Sequence, residues 1–309
     1  MSWPDLSELA DLPELTRPID PAGRPRPSDG AVPTGPSGRP ELPGRSVPAD
    51  PARPSVRPEL PDRAGPIARA DPTGPADLID LWVIPTDQPE PVLQRLRHLL
   101  DPRERARAAG PDRLLGRRFT AVHGAVRLLV AERLGIHPAE VVWRHGPHGK
   151  PEPVTDDGRL RISYSASGTL AVLALAEHRE VGADVEEIRD ARVASRIANR
   201  YFPGAEARFL ADAPSPAARA ERFTRLWCRR EACVKAYGGR LVQGFGLPLA
   251  GPAPLRLAEV GALGEGPCQV HDTPVPGPFR AAVAVVGERP VQVRSRAWNL
   301  TTVLSRQES

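Results

Sequence analysis

The amino-acid sequence predicts an α+β fold in which helices and short strands occur twice over. Apolar residues at helical spacing alternate with short β-like runs, and glycine or proline turns separate these runs. This succession occurs once before and once after residue 180. We therefore expect two similar subdomains, residues 76–180 and 181–301, each built from a small antiparallel sheet with helices.

The first half begins with an expected strand over 78–85, followed by helical spacing of apolar residues over 91–100. A longer helical pattern covers 113–134. The period then changes to that of strands, which we expect at 141–144, 161–165 and 170–175.

The second half repeats these types of segment. A strand is expected over 181–186. Helical patterns follow at 193–201, 204–210 and 217–237. The last strands are expected near Leu255, near Val270, over 281–286 and over 291–294.

Composition sets residues 1–75 apart from the rest of the chain. About half of the 38 prolines fall there, with few aromatic residues and repeated Arg-Pro and Gly-Pro steps. Such a segment cannot bury enough apolar surface to offset the entropy of ordering it. We predict a disordered tail.

The charge balance is mildly basic, with a net charge of +4 and a pI near 9.3. This balance suits acidic or phosphorylated partners. Arg113, Arg117, Arg118 and Arg127 crowd one segment, which we interpret as a solvated helix face. No aromatic residues suited to base stacking interleave them, which disfavours nucleic-acid binding.

Cysteine spacing and the lack of long apolar runs indicate the cellular compartment in which the protein is expected. The three cysteines lack metal-ligand spacing, no apolar run approaches a membrane span, and no signal peptide opens the sequence. We expect a reduced, cytoplasmic protein.

Lysine occurs only at Lys150 and Lys235, although the chain has 42 lysines and arginines together. A drift toward arginine should spare lysine where a compact, flexible ammonium does what a rigid guanidinium cannot. These two positions are therefore candidates for chemistry.

Two carboxylates, Asp184 and Glu186, stand two residues apart on an expected strand and therefore share a face. One interpretation is a solvent-facing strand edge. The flanking Val181 and Val185 favour a buried strand instead, where unpaired charge is costly. Hard oxygen ligands in this arrangement suit Mg²⁺, which usually takes one or two carboxylates together with substrate phosphates.

Glu231 and Lys235 stand one helical turn apart in the segment 227–235. An ordinary pair of this kind stabilises a helix by about 0.3–0.5 kcal/mol and has no other role. Gly149-Lys150-Pro151 forms a rigid turn that presents an ammonium, which in most proteins is simply solvated.

Taken in order, these motifs resemble the 4′-phosphopantetheinyl transferases of the Sfp type. The resemblance rests on Gly149-Lys150-Pro151 and on the segments 162–167, 182–186 and 227–235 with Gly238. It covers roughly residues 78–290, including the upstream helix with Arg118, Phe119 and Arg127. It implies two pseudo-twofold-related halves in a monomer, with coenzyme A and Mg²⁺ in the cleft between them.

The resemblance also implies roles for individual residues. Asp184, Glu186 and Glu231 would bind the Mg²⁺ that grips the coenzyme A pyrophosphate, and Glu231 would also deprotonate the acceptor serine. Lys235 would neutralise phosphoryl oxygens as 3′,5′-ADP leaves. The coenzyme A contacts would come from Arg118, Lys150, Pro151, Ser165 and Lys235, with Arg118 and Lys150 on the 3′-phosphate.

The implied partners are acyl or peptidyl carrier protein domains of fatty-acid, polyketide or nonribosomal peptide synthases. The chain departs from the family at Ala166, where histidine is usual, at Arg230, where lysine is common, and in the spacing of Gly239 and Leu241 after Lys235. An alternative is a catalytically weak coenzyme A-binding or interaction protein, in which the proline-rich segment recruits partners.

Overall fold

The computed structural model describes residues 76–299, so the expected tail at 1–75 and the last two residues of the expected C-terminal subdomain lie outside the described residues. The elements of the first half run in this order: β1 (Asp77–Pro85), α1 (Glu90–Leu99), α2 (Pro102–Ala108), α3 (Arg113–Leu134), β2 (Trp143–His145), β3 (Pro151–Pro153), β4 (Leu160–Ser167) and β5 (Leu170–Glu177).

The second half starts with β6 and ends with β10. Its elements are β6 (Val181–Glu187), α4 (Ala191–Tyr201), α5 (Gly204–Ala211), α6 (Pro216–Tyr237), α7 (Leu241–Gly244), β7 (Leu255–Leu257), β8 (Cys268–Thr273), β9 (Phe279–Val286) and β10 (Val291–Ala297).

Two four-stranded sheets form the framework. The first has the order β10-β1-β5-β4, and the second has the order β6-β9-β8-β7. All pairs in them are antiparallel except β1 with β10, which is parallel. The predicted α+β fold, with helices and antiparallel sheets, is confirmed. None of the described helices has the length and apolar character that crossing a bilayer requires.

The order of elements repeats between the halves. Each half begins with a strand and three helices and later has two consecutive paired strands, β4 with β5 or β8 with β9. The first strand pairs with the second of these two: β1 with β5, and β6 with β9. The short elements between differ, being β2 and β3 in the first half and α7 and β7 in the second. The three helices have 10, 7 and 22 residues in the first half and 11, 8 and 22 in the second. The boundary at 180/181 stays a prediction, and β10 lies across it because it joins the first sheet.

The apolar cores explain how the sheets are held. One cluster packs α3 against the first sheet, with members such as Val126 and Leu173, and another packs α6 against the second, with Trp227 and Val270. A third contains side chains of β1 and β5 together with side chains of β6 and β9. Strand β6 therefore uses one face for this shared core, and its other face lies against α6.

Helix α2 has no counterpart among the sequence predictions, because seven residues are too few to show an apolar period. Its start is nevertheless marked locally: the Asp101 side chain accepts a hydrogen bond from the Glu104 backbone, and the Glu104 side chain accepts one from the Asp101 backbone. This capping box satisfies two backbone donors that a helix start otherwise leaves unpaired.

Candidate active site at the junction of β4, β6 and α6

The candidate site lies where the edge strand of the first sheet, β4, meets the edge strand of the second, β6. Three alternate residues of β4 form a row of hydroxyls toward β6. Ser163 Oγ accepts a hydrogen bond from the Ala183 backbone N–H at 2.9 Å. Ser165 Oγ donates to Asp184 at 2.7 Å, and Ser167 Oγ donates to Glu186 at 2.9 Å. Only Ser165 was selected from the sequence, although the two-residue period of a strand places all three serines on one face.

Asp184 is almost completely buried, with 2% of its surface exposed. Its Oδ1 accepts hydrogen bonds from Lys235 Nζ at 2.6 Å and from Ser165 Oγ at 2.7 Å. The alternative of a solvent-facing strand edge is therefore wrong for this residue. The ion pair between Lys235 and Asp184 joins α6 to β6, so Lys235 is not simply paired with Glu231 within its own helix.

The pKa values of Glu186 and Glu231 are both raised in this site. Burial and the neighbouring Asp184 raise the pKa of Glu186 to about 7. Burial also raises the pKa of Glu231 to about 8; the nearby Lys235 opposes this shift, and Asp184 and Glu186 add to it. Three carboxylates thus share an excess of negative charge that Lys235 alone does not neutralise.

Two carboxylate oxygens of this cluster are buried without a hydrogen-bond partner: Asp184 Oδ2 and Glu231 Oε2. A buried carboxylate oxygen without a partner is costly, and a divalent cation would satisfy both atoms while relieving the charge. Among residues 76–299, no three His, Cys, Asp or Glu side chains are yet arranged to hold a metal ion, and Lys235 occupies one oxygen of Asp184. The donor types fit Mg²⁺, and binding requires adjustment of these side chains.

A glycine allows α6 to approach β6 closely enough for these contacts. A Cβ atom at Gly182 would lie 1.9 Å from the Ala232 oxygen and 2.4 Å from the Ala236 nitrogen, so no larger residue fits. This close approach places Glu231 and Lys235 of the helix beside Asp184 of the strand. It also brings Cys228 near: burial, together with the charges of Asp184 and Glu186, raises the pKa of its thiol well above the usual value.

Arg230, where lysine is common in the family, is fully buried on the other side of α6. Its guanidinium donates to Glu206 Oε2 at 2.6 Å, to the Gly244 oxygen at 3.0 Å and to the Leu247 oxygen at 3.3 Å. A lysine ammonium could not reach these acceptors with the same planar fork. The departure from the family therefore has a local structural use.

Arg127 is another arginine whose environment differs from the expectation. The sequence predicts a solvated helix face for Arg127, but it is 1% exposed and donates to Glu104 at 2.6 Å and to Asp101 at 2.8 Å. The interpretation was wrong because these acids lie at the N-terminus of α2, outside the arginine-rich segment, so the charges of that segment alone do not reveal them. Arg118, in contrast, is half-buried, and within residues 76–299 its side chain forms no hydrogen bond or ion pair.

The structure does not place every predicted residue at the carboxylates. Lys150 is 11% exposed in its side chain and forms an ion pair with Glu180 at 2.9 Å, and Pro151 begins β3 in a two-stranded sheet with β2. Ala166 is exposed on β4, and the alternation of the strand puts it on the face opposite to Ser165. A histidine at this position would therefore point away from Asp184.

Comparisons with known proteins point to one family. The family model of the 4′-phosphopantetheinyl transferase superfamily matches residues 180–280. The 4′-phosphopantetheinyl transferase HetI of Nostoc sp. is 34% identical over 169 residues, which cover 53% of this chain and 70% of HetI. The 4′-phosphopantetheinyl transferase AcpT of Escherichia coli is 36% identical over 115 residues, which cover 37% of this chain and 56% of AcpT.

Proposed function

This chain belongs to the 4′-phosphopantetheinyl transferase superfamily, and from this premise we propose that it transfers 4′-phosphopantetheine from coenzyme A to a serine of a carrier protein. The acceptor is an acyl or peptidyl carrier protein domain of a fatty-acid, polyketide or nonribosomal peptide synthase. The protein acts as a cytoplasmic monomer of the Sfp type.

The observation that carries the proposal is the pair of buried oxygens without partners, Asp184 Oδ2 and Glu231 Oε2, beside a third carboxylate, Glu186. A binding module has no need of three carboxylates gathered in one buried site, where burial and negative neighbours raise the pKa of Glu186 and of Glu231. A phosphoryl transferase does need them, because they recruit a divalent cation to a pyrophosphate.

Asp184, Glu186 and Glu231 hold Mg²⁺ in this proposal. When bound, Mg²⁺ supplies positive charge between these carboxylates and the pyrophosphate of coenzyme A. The hydrogen bonds from Ser165 and Ser167 fix the orientation of Asp184 and Glu186 before the substrate arrives.

Glu231 accepts the proton of the carrier serine hydroxyl in the proposed reaction. The serine oxygen then forms a bond to the phosphorus that carries pantetheine, and the bond from this phosphorus to the bridging oxygen breaks. The bond electrons leave with 3′,5′-ADP. Lys235 turns from Asp184 toward the phosphoryl oxygens and neutralises the charge that develops on them, which its flexible stem permits.

The remaining coenzyme A contacts follow from the family resemblance. Arg118 binds the 3′-phosphate, since its guanidinium has no ion pair within residues 76–299. The resemblance also implies contacts from Lys150, Pro151 and Ser165, and of these Ser165 lies directly beside the carboxylates.

Mass spectrometry of a carrier protein tests the proposal. A carrier incubated with this protein, coenzyme A and Mg²⁺ should gain the mass of phosphopantetheine, and chelation of the metal should abolish the gain. Glu186→Ala should lose the activity, whereas Glu187→Ala, which removes the neighbouring exposed carboxylate, should keep it. No gain on any of several carriers of the three synthase classes would contradict the proposal.

A further inference from the structure

The ammonium of Lys150 lies inside the protein among three oxygen acceptors. Its Nζ is 2.9 Å from Glu180 Oε2, 3.1 Å from the Val181 carbonyl oxygen and 3.5 Å from the Ala236 carbonyl oxygen. A lysine ammonium has three N–H donors. Each of them therefore has an acceptor within the chain, and none remains for an external phosphate.

The two carbonyl acceptors belong to the two elements that build the candidate site, and Glu180 directly precedes β6. Ala236 adjoins Lys235 in the last turn of α6, and Val181 is the first residue of β6, which carries Asp184. Lys150 itself immediately precedes β3. One ammonium thus joins three segments of the chain around the Lys235–Asp184 contact of 2.6 Å.

We propose that Lys150 is a positioning residue, which holds the last turn of α6 against the start of β6 and so sets the place of Lys235 relative to Asp184. This inference rests on the proposed transfer reaction and assigns Lys150 a different task from the 3′-phosphate contact that the resemblance implies. Short distances between reacting groups matter because small displacements reduce rates strongly.

The electrostatic surroundings agree with a structural tie. The second oxygen of Glu180, Oε1, pairs with Arg161 of β4 at 2.9 Å, so Glu180 lies between two cations. Binding of the 3′-phosphate by Lys150 would require this arrangement to break. It also means that removal of the ammonium leaves Glu180 paired with Arg161, so no buried charge loses all its partners.

Lys150→Met is the main test, because methionine keeps an unbranched apolar chain and loses only the ammonium. Affinities for coenzyme A and for dephospho-coenzyme A, which lacks the 3′-phosphate, are measured by calorimetry on the full chain with Mg²⁺, beside kcat for transfer to a carrier. We expect kcat to fall by about tenfold or more, while the two affinities change by the same factor.

Glu180→Gln separates the two roles of Lys150. If Lys150 positions α6, this variant weakens the tie and lowers kcat in the same direction as Lys150→Met. If Lys150 binds the 3′-phosphate, the same variant frees the ammonium and tightens coenzyme A binding. A selective loss of coenzyme A affinity in Lys150→Met, with dephospho-coenzyme A unaffected, would overturn the proposal.

Hydrogen exchange gives a measurement that does not depend on activity. The amides of Gly238 and Gly239 bond to the Lys235 and Val234 oxygens at the end of α6. We expect these amides to exchange faster in Lys150→Met and unchanged rates in Arg144→Met, which removes a paired, exposed arginine from the neighbouring strand β2. Unchanged exchange in Lys150→Met would refute the positioning role of Lys150, whether or not the protein is active. Failure of the wild-type protein to modify any carrier would instead refute only the proposed function.

Discussion

Arg127 and Arg230 occupy the same position, counted from Arg113 and Pro216, in the two helices of 22 residues. Each pairs at 2.6 Å with a glutamate in the first turn of the short helix before it, which is Glu104 for Arg127 and Glu206 for Arg230. Each also donates to carbonyl oxygens of the segment that follows its helix; these belong to Pro138 and Val141 in the first half and to Gly244 and Leu247 in the second.

A cross-link repeated at equivalent positions supports the expected internal repeat. In both halves a buried arginine joins the long helix, the helix before it and the segment after it. In the second half the long helix also carries Glu231 and Lys235. The buried cross-link through Arg230 therefore helps to orient these two side chains, whereas the equivalent cross-link through Arg127 supports no candidate active site in the first half.

Arg230→Met should destabilise the protein by about 3–5 kcal/mol, because it leaves the carboxylate of Glu206, which is 2% exposed, without its cation. Unfolding in denaturant measures this loss. The double variant Arg230→Met with Glu206→Gln should lose less than the sum of the two single variants, since no buried charge is then left alone.

Arg117→Met is the matched control, because Arg117 pairs with Glu90 at an exposed position. Such a pair contributes about 0–1 kcal/mol, so little should change. A loss for Arg230→Met as small as the loss for this control would show that the buried pair does not hold α5 to α6.

Glu104 should make the stability sensitive to acid. Burial alone would raise its pKa, but hydrogen bonds from His123, Arg127 and the Asp101 backbone lower it to about 2, compared with 4.5 for an unperturbed glutamate. The folded protein therefore binds this proton less readily than the unfolded chain. The stabilisation is complete above about pH 4.5 and is lost as the pH falls toward about 2.

Denaturant unfolding of wild type and Glu104→Gln at several pH values tests this relation. The difference in unfolding free energy should be largest near neutral pH and should shrink below about pH 4.5, the ordinary pKa of the group. A difference that stays constant down to about pH 3 would exclude Glu104 as a source of the acid sensitivity.

The sequence predicts the main helices and strands well because their apolar periods are long enough to recognise. It does not predict what depends on distant partners. Arg127 was placed at a solvated face because Asp101 and Glu104 are not visible in its own segment, and Lys150 was expected to present its ammonium outward although Glu180 captures it. The serine row of β4 could have been predicted from its alternation. The absence of a hydrogen-bond partner at Asp184 Oδ2 depends on the packing of β4 and α6 around it, which the sequence does not show.

Gly182→Ala should be strongly destabilising, because the added Cβ would lie 1.9 Å from the backbone oxygen of Ala232. Backbone cannot move aside as a flexible side chain can, so α6 would have to shift away from β6. We expect a lower melting temperature and loss of transfer. Gly246→Ala is the control, since a Cβ there meets nothing within 4 Å. Equal melting temperatures for Gly182→Ala and wild type would show that the close approach is not needed.

The carboxylates of the proposed metal site should fail in two different ways. Asp184→Asn keeps the shape and the Oδ1 acceptor that Lys235 and Ser165 use, but it removes the negative charge. We expect it to lose most of the Mg²⁺-dependent gain in coenzyme A affinity, together with transfer. Glu231→Gln should reduce turnover more than coenzyme A affinity, because it also removes the proposed acceptor for the serine proton.

Calorimetry with and without Mg²⁺, beside single-turnover transfer, separates these two effects. Glu187→Gln is the control, since it removes a carboxylate from the same strand at an exposed position and should change neither quantity. If Asp184→Asn kept the Mg²⁺ dependence of coenzyme A binding, the unpartnered Asp184 Oδ2 would not be a metal ligand. Asp184 would then serve only as the buried counter-ion of Lys235, and the two would form a structural ion pair between β6 and α6.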